Sequence, residues 1–348
     1  MSSWAKEKVQ IGVILDPNGR FFNIQKPIYN GIKLYFTDKQ DKKDKKDFEI
    51  KLIEAPDTLE GQKQASENVI KNDIRFILGH NFSSSSKMFL ESLPKNYEMT
   101  YVTPSATSLE LLGLNNGVFI IWPNNESQVK ALIAFLTAKN LLHGKIVFLT
   151  NQSETFATEM AKYFKDFVKN NKAISIEEVS FIKDTPDLEK AVKAALSKNP
   201  DIILATSYSY ELITIYQMAL KLLKDQQQKP VFLAGDNVGR ESIFFSKLGT
   251  EKPLMYGNFF FTEGWSASIQ TKDNLKFISD FKQAYKEDPS AKAAAGYDAA
   301  KLLASAIRKS KTKSPQEVNR ILGKISENLT TGRAKMSKNR TLSRPVPV

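Results

Sequence analysis

The sequence predicts an α/β protein with two doubly wound lobes, each a parallel sheet covered by helices on both faces. The chain has 348 residues, which is too long for a single ordinary core. Short apolar runs rich in β-branched and aromatic residues recur along it, and each is followed by a longer segment with helical spacing. The series runs twice, roughly over 9–121 and over 145–250, without a repeat in the sequence itself. Such alternation is typical of parallel sheets.

The strands are predicted from the apolar runs, and one further strand with two helices is predicted after the second series. The predicted strands cover 9–15, 48–54, 74–78, 98–102, 117–121, 145–149, 174–181, 201–205, 230–234 and 254–261.

Helical spacing is clear in two of the intervening segments. Apolar residues recur there at i, i+4, i+7 and i+8, namely at Ile28, Ile32, Tyr35 and Phe36, and again at Leu188, Val192, Ala195 and Leu196. Thr185, Pro186 and Asp187 precede the second segment, and they predict a helix with proline at its first position.

The composition argues against several classes of site. The chain has no cysteine, which excludes disulfides, thiolate metal sites and cysteine nucleophiles. Its two histidines, His80 and His143, are too few for a histidine metal cluster or a common acid–base pair. No G-x-G-x-x-G, P-loop or G-x-S-x-G motif occurs. We therefore expect no metal, no cofactor and no catalytic activity.

The charge and the N-terminus bear on partners and location. The net charge is +12, but the lysines are spread along the chain and mixed with acids, as in DKKDKKD (41–47). This pattern favours a solvated lysine-rich surface over a nucleic-acid partner. No apolar run approaches the roughly 20 residues that a membrane span needs, and MSSWAKEKVQIGVIL has no signal-peptide cleavage site. Two locations stay open: the cytosol, or an extracytoplasmic compartment reached with an export signal that is absent from this sequence.

In open α/β sheets, ligands bind beyond the carboxyl ends of the strands, where loops lead into helices. The segments expected at that edge are 16–25, 79–86, 103–108, 150–157, 206–210 and 235–239.

Two of these segments in the first half are rich in hydroxyl groups. A helix that begins within GHNFSSSS (79–86) would present backbone N–H groups and hydroxyl donors to a carboxylate or phosphate. The alternative is that Ser83 or Ser84 is an ordinary N-cap and that the other serines face solvent. The segment TPSATSLEL (103–111) adds the hydroxyls of Ser105 and Thr107, although by itself it is an ordinary turn.

The second half supplies aromatic residues and an acid. Phe156 follows one strand and either reaches the ligand edge or packs in the core, and Tyr208 or Tyr210 follows another. Asp236 lies between glycine and asparagine in a tight turn, where a helix cap is the alternative. Hydroxyl donors from one half and an acid with aromatics from the other complement a zwitterionic amino acid.

Several segments together resemble the leucine/isoleucine/valine-binding type of solute-binding protein that serves ABC importers. The resemblance covers nearly the whole chain, and the order and spacing of the segments make it specific. These segments are FILGHNFSSSS (76–86), YVTPSATSLEL (101–111), PDIILATSYSYE (200–211), PVFLAGDNVG (230–239) and the helices within 277–307. The family implies the class I periplasmic binding fold, with two Rossmann-like lobes joined by a hinge.

The resemblance also implies roles for individual residues. The residues matching those that hold the ligand's α-carboxylate are Ser83, Ser105, Ala106 and Thr107. Asp236 matches the acid that meets the α-ammonium, and Tyr208 matches an aromatic residue that contacts the ligand.

The chain departs from the family pattern at the side-chain end of the site. The usual glycine-rich first loop is replaced by DPNGRFFNIQKP (16–27), so Arg20, Phe21 and Phe22 are expected to line or obstruct the pocket. Phe156 stands in Thr-Phe-Ala where Tyr-Gly is common, which removes a phenolic hydroxyl. Binding of the ligand's main-chain groups is therefore expected, but branched-chain specificity is not implied.

The resemblance implies a non-catalytic, monomeric two-lobed binding protein. Lobe 1 is predicted as 8–121 plus 255–328 and lobe 2 as 122–254 plus 329–348, with the ligand in a cleft between them. Hinge closure around a small polar ligand, an amino acid or close analogue, would be recognised by a membrane permease. The alternative is a sensor domain of the same fold, and amides, urea-like compounds, short peptides and aromatic acids stay open as ligands.

Overall fold

The computed structural model describes residues 8–37, 47–224, 229–238 and 258–348. These residues form two units. Unit 1 holds the described residues of Met1–Asn124 and Trp265–Arg344, and unit 2 those of Asn125–Gly264 and Pro345–Val348. Both units are α/β structures, as predicted.

The strands follow the predicted apolar runs closely. In chain order they are β1 (Val9–Leu15), β2 (Phe48–Glu54), β3 (Phe76–Leu78), β4 (Thr100–Thr103), β5 (Val118–Ile120), β6 (Gly144–Asn151), β7 (Ile174–Phe181), β8 (Ile202–Thr206), β9 (Val231–Ala234), β10 (Phe259–Phe261), β11 (Ser326–Leu329), β12 (Gly332–Met336) and β13 (Leu342–Ser343). Of the predicted strand 254–261, residues 254–257 lie outside the described residues.

The helices lie between the strands and in the last quarter of the chain. They are α1 (Phe22–Thr37), α2 (Leu59–Lys71), α3 (Ser83–Ser92), α4 (Asn125–Ala138), α5 (Thr155–Val168), α6 (Leu188–Leu196), α7 (Ser209–Leu222), α8 (Lys272–Tyr285), α9 (Ala291–Lys309) and α10 (Pro315–Leu322).

The large sheet of unit 1 has the order β2-β1-β3-β4-β5, and all its neighbouring strands are parallel. Its two faces bury different clusters because successive side chains of a strand point to opposite faces. Val13 packs in a cluster with α1 and α9, while the next residue, Ile14, packs in a cluster with α2 and α3. Both faces are therefore covered, as the alternating sequence pattern predicts.

Helices α1 and α9 approach each other closely because each has a glycine at the contact. A Cβ atom on Gly31 would lie 2.0 Å from the Ala293 carbonyl oxygen, and one on Gly296 would lie 2.1 Å from the Ile28 carbonyl oxygen. The predicted apolar face of α1 lies in this contact region, with Ile28 and Ile32 buried.

The sheet of unit 2 has the order β10-β9-β8-β6-β7 and is also parallel throughout. Its core contains Val147, Leu149 and Ile203 from the strands, packed with residues of α6 and α7. The start of α6 differs from the prediction. Asp187 is the N-cap and Pro186 precedes it, so the expectation of proline at the first helical position is wrong. The Asp187 amide instead donates to Thr185 Oγ1 at 3.1 Å.

A small antiparallel sheet, β11-β12-β13, was not predicted, and neither was α10. The strands SENL and GRAKM contain few apolar β-branched residues, so their composition gives no strand signal. Helix α10 does have a readable start, because Ser314 Oγ accepts the Glu317 amide at 3.3 Å and Pro315 takes the first position.

This sheet explains how the observed division of the chain differs from the predicted lobes. Leu329, Ala334 and Met336 are buried in the core of unit 1, so residues 329–344 belong to that unit and only Pro345–Val348 to unit 2. Residues 258–264 fall in unit 2, where β10 pairs with β9. Within the described ranges, no helix is long and apolar enough to span a membrane.

Candidate functional site

In unit 1, the two hydroxyl-rich loops lie side by side because their strands are neighbours. β3 pairs with β4, with Leu78 opposite Val102, and the Gly79 amide extends the pairing by donating to the Val102 carbonyl at 3.2 Å. The loop after β3 therefore runs beside the turn after β4. We call these two segments, 79–83 and 103–108, the paired loops.

Ser83 connects the paired loops. It is the first residue of α3, whose N-cap is Phe82 without a side-chain hydrogen bond. The structure thus differs from the alternative in which Ser83 or Ser84 is the N-cap. Instead, Ser83 Oγ accepts the backbone amides of Thr107 at 3.2 Å and Ser108 at 3.3 Å. Ser83 is buried, with 2% of its surface exposed.

The later serines of α3 are used for packing the helix in place. Ser85 Oγ donates to Asp57 Oδ1 at 2.5 Å, and Ser86 Oγ donates to the Phe82 carbonyl at 2.9 Å. The hydroxyls of Ser83, Ser85 and Ser86 therefore make separate contacts, and that of Ser83 reaches the turn after β4.

The turn after β4 is held by one bond within the turn and one bond to the loop after β3. Thr103 Oγ1 accepts the Ala106 amide at 2.8 Å, and Ser105 Oγ donates to Asn81 Oδ1 at 3.2 Å. Ser105, Ala106 and Thr107 are all buried, each less than 5% exposed. The structure brings these three residues together with Ser83, whereas their predicted contact with a carboxylate stays a prediction.

His80, in the loop after β3, anchors the paired loops to the rest of unit 1. Its Nε2 lies 2.7 Å from Gln62 Oε1 and its Nδ1 lies 2.7 Å from the Tyr101 hydroxyl. The Gln62 side-chain NH2 group donates to the carbonyls of Ala55 and Pro56, which leaves its oxygen to accept a hydrogen bond from the Nε2–H of His80. Burial lowers the pKa of His80 from 6.5 to about 3, so the ring is neutral at pH 7.

The first loop contributes an aromatic contact beside Ser83. The ring of Phe21 meets that of Phe82 edge to face, with centroids 5.3 Å apart, and the Arg20 guanidinium lies over Phe21 at 4.5 Å. Phe21 is buried. The expectation that Phe21 lines or obstructs the pocket stays a prediction.

In unit 2, the predicted aromatic residues lie together. Phe156, in the first turn of α5, and Tyr208, the N-cap of α7, have ring centroids 4.7 Å apart. Tyr210 stacks on Tyr208 with centroids 6.4 Å apart. Phe156 and Tyr208 are both buried, so Phe156 makes an aromatic packing contact as well as lying at the carboxyl edge of the sheet.

Asp236 follows β9 and is buried, with 3% of its surface exposed. Its backbone amide donates to Gln128 Oε1 at 3.1 Å, and Gln128 Oε1 also accepts the Thr262 hydroxyl at 2.7 Å. Gln128 thus fixes the turn that carries the aspartate. The alternative role of Asp236 as a helix cap concerns residues after 238, which lie outside the described residues.

Glu211, in the first turn of α7, is another buried acid of unit 2, and the sequence analysis missed it. Asn151 Nδ2 donates to Glu211 Oε2 at 2.8 Å, and the Ser207 hydroxyl donates to the same oxygen. Burial raises the pKa of Glu211, and the bonds from Ser207 and Asn151 oppose that shift. A signal was present, because Glu211 directly follows the TSYSY segment, but a glutamate in a first helical turn is too common to indicate a site.

Among the described residues, no group of three or more histidine, cysteine, aspartate or glutamate side chains could hold a metal ion.

Comparisons with known proteins agree on the fold. A family model described as periplasmic binding protein matches residues 8–348. The leucine binding protein LivK of Thermotoga maritima superimposes with a TM-score of 0.84 at 21% identity, over 97% of this chain and 94% of that one. LivJ of Streptococcus pneumoniae, in complex with isoleucine, superimposes with a TM-score of 0.81 at 19% identity, over 98% of this chain and 95% of that one. A solute binding protein of R. palustris, in complex with benzoate, superimposes with a TM-score of 0.79 at 15% identity, over 98% of this chain and 92% of that one.

No curated protein sequence matches the chain. At identities this low, the similar structures establish the fold alone, whereas the family model spans almost the whole sequence. The chain therefore belongs to the periplasmic binding protein family.

Proposed function

We propose that the protein binds an amino acid or a close analogue and delivers it to the permease of an ABC importer outside the cytoplasm. In this proposal the ligand's carboxylate is held by Ser83 and the turn 105–107, and its ammonium by Asp236.

The observation that carries the proposal is the hydrogen bonding of Ser83. A serine hydroxyl has two acceptor lone pairs and one donor proton. Both lone pairs of Ser83 Oγ are used by the amides of Thr107 and Ser108. No acceptor for its proton is found within the described ranges 8–37, 47–224, 229–238 and 258–348. Ser83 is thus left as a pure donor at the carboxyl edge of a parallel sheet, which suits a ligand carboxylate.

In unit 2, the residues on which the proposal draws are an acid and two aromatic side chains. Asp236 is a buried acid whose turn is fixed by Gln128, and its carboxylate has the charge that complements an ammonium. Phe156 and Tyr208 offer apolar surface at the same edge of their sheet.

The similar structures share one chemical feature with this proposal. Isoleucine, in LivJ, and benzoate, in the R. palustris protein, both carry a carboxylate. Only isoleucine carries an amine. A carboxylate-binding site at Ser83 and the turn 105–107 therefore suits both ligands, and the choice of an amino acid rests on Asp236.

The proposal is tested by titration calorimetry of the purified protein with the twenty amino acids and with small carboxylic acids. The variant Ser83→Ala should weaken the best ligand about 10- to 150-fold, because a charge-assisted hydrogen bond contributes about 1.5–3 kcal/mol. Ser92→Ala is the matched control, since it removes a hydroxyl from the other end of the same helix, where Ser92 Oγ donates to the Met88 carbonyl. Equal affinities of wild type and Ser83→Ala would contradict the proposal that Ser83 binds the ligand's carboxylate.

A further inference from the structure

The dipeptide Asn-Gly occurs three times in the chain, at 18–19, 30–31 and 116–117. This dipeptide is prone to react with itself in water, because glycine has no side chain to hinder attack by its backbone nitrogen on the asparagine side chain. The attack requires a backbone nitrogen without a strong hydrogen bond and a backbone that is free to bring the two groups together. The structure places the three copies in settings that differ in both respects.

The copy at Asn30 and Gly31 lies inside α1, where helical hydrogen bonds fix the backbone. Asn30 is buried, with 8% of its surface exposed. Its carbonyl also accepts the Tyr285 hydroxyl at 2.9 Å. The attack at this copy therefore requires local unfolding of α1.

The copy at Asn116 and Gly117 precedes β5, and both backbone groups of its glycine are held. The Gly117 amide donates to Asn115 Oδ1 at 2.8 Å, and the Gly117 carbonyl accepts the Tyr101 amide at 2.8 Å. A Cβ atom on Gly117 would lie 1.9 Å from the Met99 carbonyl oxygen, so the backbone is tightly packed there. Asn116 itself is exposed, but its neighbour's nitrogen is engaged.

The copy at Asn18 and Gly19, in the loop after β1, is less restrained. The Gly19 carbonyl accepts the Phe22 amide at 3.0 Å, whereas the Gly19 amide lies 3.4 Å from the Asp16 carbonyl, beyond the usual length of such a bond. Asn18 is exposed, and its Nδ2 donates to Glu54 Oε1 at 3.0 Å. That exposed bond engages neither the attacking nitrogen nor the attacked carbon.

We propose that Asn18 is a site of spontaneous deamidation. A bond forms between the Gly19 nitrogen and Asn18 Cγ, and the bond between Cγ and Nδ2 breaks. The side-chain nitrogen leaves as ammonia and takes with it the proton of the Gly19 N–H group. Water then opens the cyclic imide at one of its two C–N bonds, which gives aspartate or isoaspartate. The reaction needs only water, and it does not depend on the proposed ligand.

Either product changes the charge of the loop after β1. A carboxylate formed from Asn18 has no proton to donate at neutral pH, so the hydrogen bond to Glu54, at the end of β2, becomes a like-charge contact. Asp16 adds another carboxylate beside it, since a Cβ atom on Gly19 would lie 1.8 Å from Asp16 Oδ2. The modification therefore weakens the attachment of this loop to β2.

The experiment follows all three copies in one sample. The purified full chain is incubated in mildly alkaline buffer, and peptide mass spectrometry measures the conversion of Asn18, Asn30 and Asn116. Asn18 should convert about tenfold faster than Asn116, because a backbone hydrogen bond of Gly117 must open before Asn116 reacts. In concentrated urea the three copies should convert at similar rates, since all have the glycine and none keeps its folded surroundings.

The variant Asn115→Ala tests the protective bond directly. It removes the acceptor of the Gly117 amide, so the conversion of Asn116 should rise toward that of Asn18. Asn30 serves as the internal control, because its conversion rises only if the variant unfolds. An unchanged rate at Asn116 would contradict the hydrogen-bond explanation of the difference between the copies.

The charge effect is tested with Asn18→Asp, which reproduces one product. It should lower the melting temperature, and adding Glu54→Gln should restore part of the loss, because the new amide donates to the carboxylate. The control Asn18→Gln keeps an amide and should show no conversion at this position.

The inference is overturned if Asn18 in the folded protein converts no faster than Asn30, or more slowly than Asn116. It is also overturned if Asn18→Asp leaves the melting temperature unchanged, since the modification would then have no effect on the loop. None of these results involves a ligand, so they leave the proposed function to its own test.

Discussion

In unit 1, the loops after β3 and β4 are joined by hydroxyls, one side-chain amide and backbone N–H groups. In unit 2, the end of β6 and the segment after β8 are joined through the carboxylate of Glu211. Each arrangement contains one buried titratable group, neutral His80 in unit 1 and Glu211 in unit 2. Burial lowers the pKa of His80 and raises that of Glu211. Protonation of His80 should therefore destabilise unit 1, whereas protonation of Glu211 should stabilise unit 2.

The largest expected effect is acid destabilisation through His80. Its pKa is 6.5 in the unfolded chain and about 3 in the folded one, so its contribution to stability is complete above pH 6.5 and is lost as the pH falls toward 3. Between pH 7 and pH 4 this amounts to about 3 kcal/mol of unfolding free energy. Urea denaturation of wild type and of His80→Gln at both pH values measures it.

His143 provides the matched control for that measurement, because it is exposed. His143→Gln should keep the acid sensitivity of wild type, whereas His80→Gln should lose most of it. An unchanged difference between pH 7 and pH 4 in His80→Gln would show that other groups cause the acid response.

The next effect concerns Asp236 in unit 2. Asp236→Asn keeps the shape of the side chain but removes the charge that we propose faces the ligand's ammonium. Affinity for the amino acid should fall about 10- to 150-fold, equivalent to about 1.5–3 kcal/mol, with little change for its des-amino analogue. Calorimetry with leucine and isocaproate checks this, and an equal loss for both ligands would assign Asp236 to the structure of the turn instead.

A smaller effect is expected when the phenol of Tyr208 is changed. Tyr208→Phe keeps the ring that packs on Phe156 at 4.7 Å, so ligand affinity should change by no more than about threefold if the ring supplies apolar surface. A loss above about tenfold would instead show that the hydroxyl bonds the ligand. Calorimetry with the best ligand separates these outcomes.

The smallest effect should come from Glu211, and it has the opposite sign to that of His80. Because burial raises the folded-state pKa, the stability linked to Glu211 is present at low pH and is lost as the pH rises through that value. Glu211→Gln should therefore raise the unfolding free energy slightly at pH 7, since an amide oxygen still accepts from Asn151 and Ser207. A marked loss of stability at pH 7 would mean that the charge itself is needed.

The sequence was informative where burial alone decides the structure. β1, β2 and β7 are apolar or alternating runs, and their predicted bounds match the observed ones because parallel strands need residues that suit both faces of the sheet. β11 and β12 were missed because their pairing depends on contacts with a distant core and on few apolar residues.

In the candidate site, the sequence predicts the positions of residues but not the directions of their hydrogen bonds. The sequence indicates that Ser83 and Ser105 are hydroxyls at the ends of strands, since position relative to the sheet follows from the alternation of elements. It does not indicate which hydroxyl donates and which accepts. That depends on Asn81, Thr107 and Ser108, whose groups reach the serines only after β3 and β4 pair.

The crossing of α1 and α9 has a consequence for how the chain is completed during synthesis. Gly31 and Gly296 form one close helix contact, yet the ribosome makes all of Asn125–Gly264 between them. Until α9 emerges, the apolar face of α1 lacks its contacts with that helix, while the strands β6 to β10 of unit 2 are already available to pair. The strands of unit 2 can therefore pair before the core of unit 1 is complete.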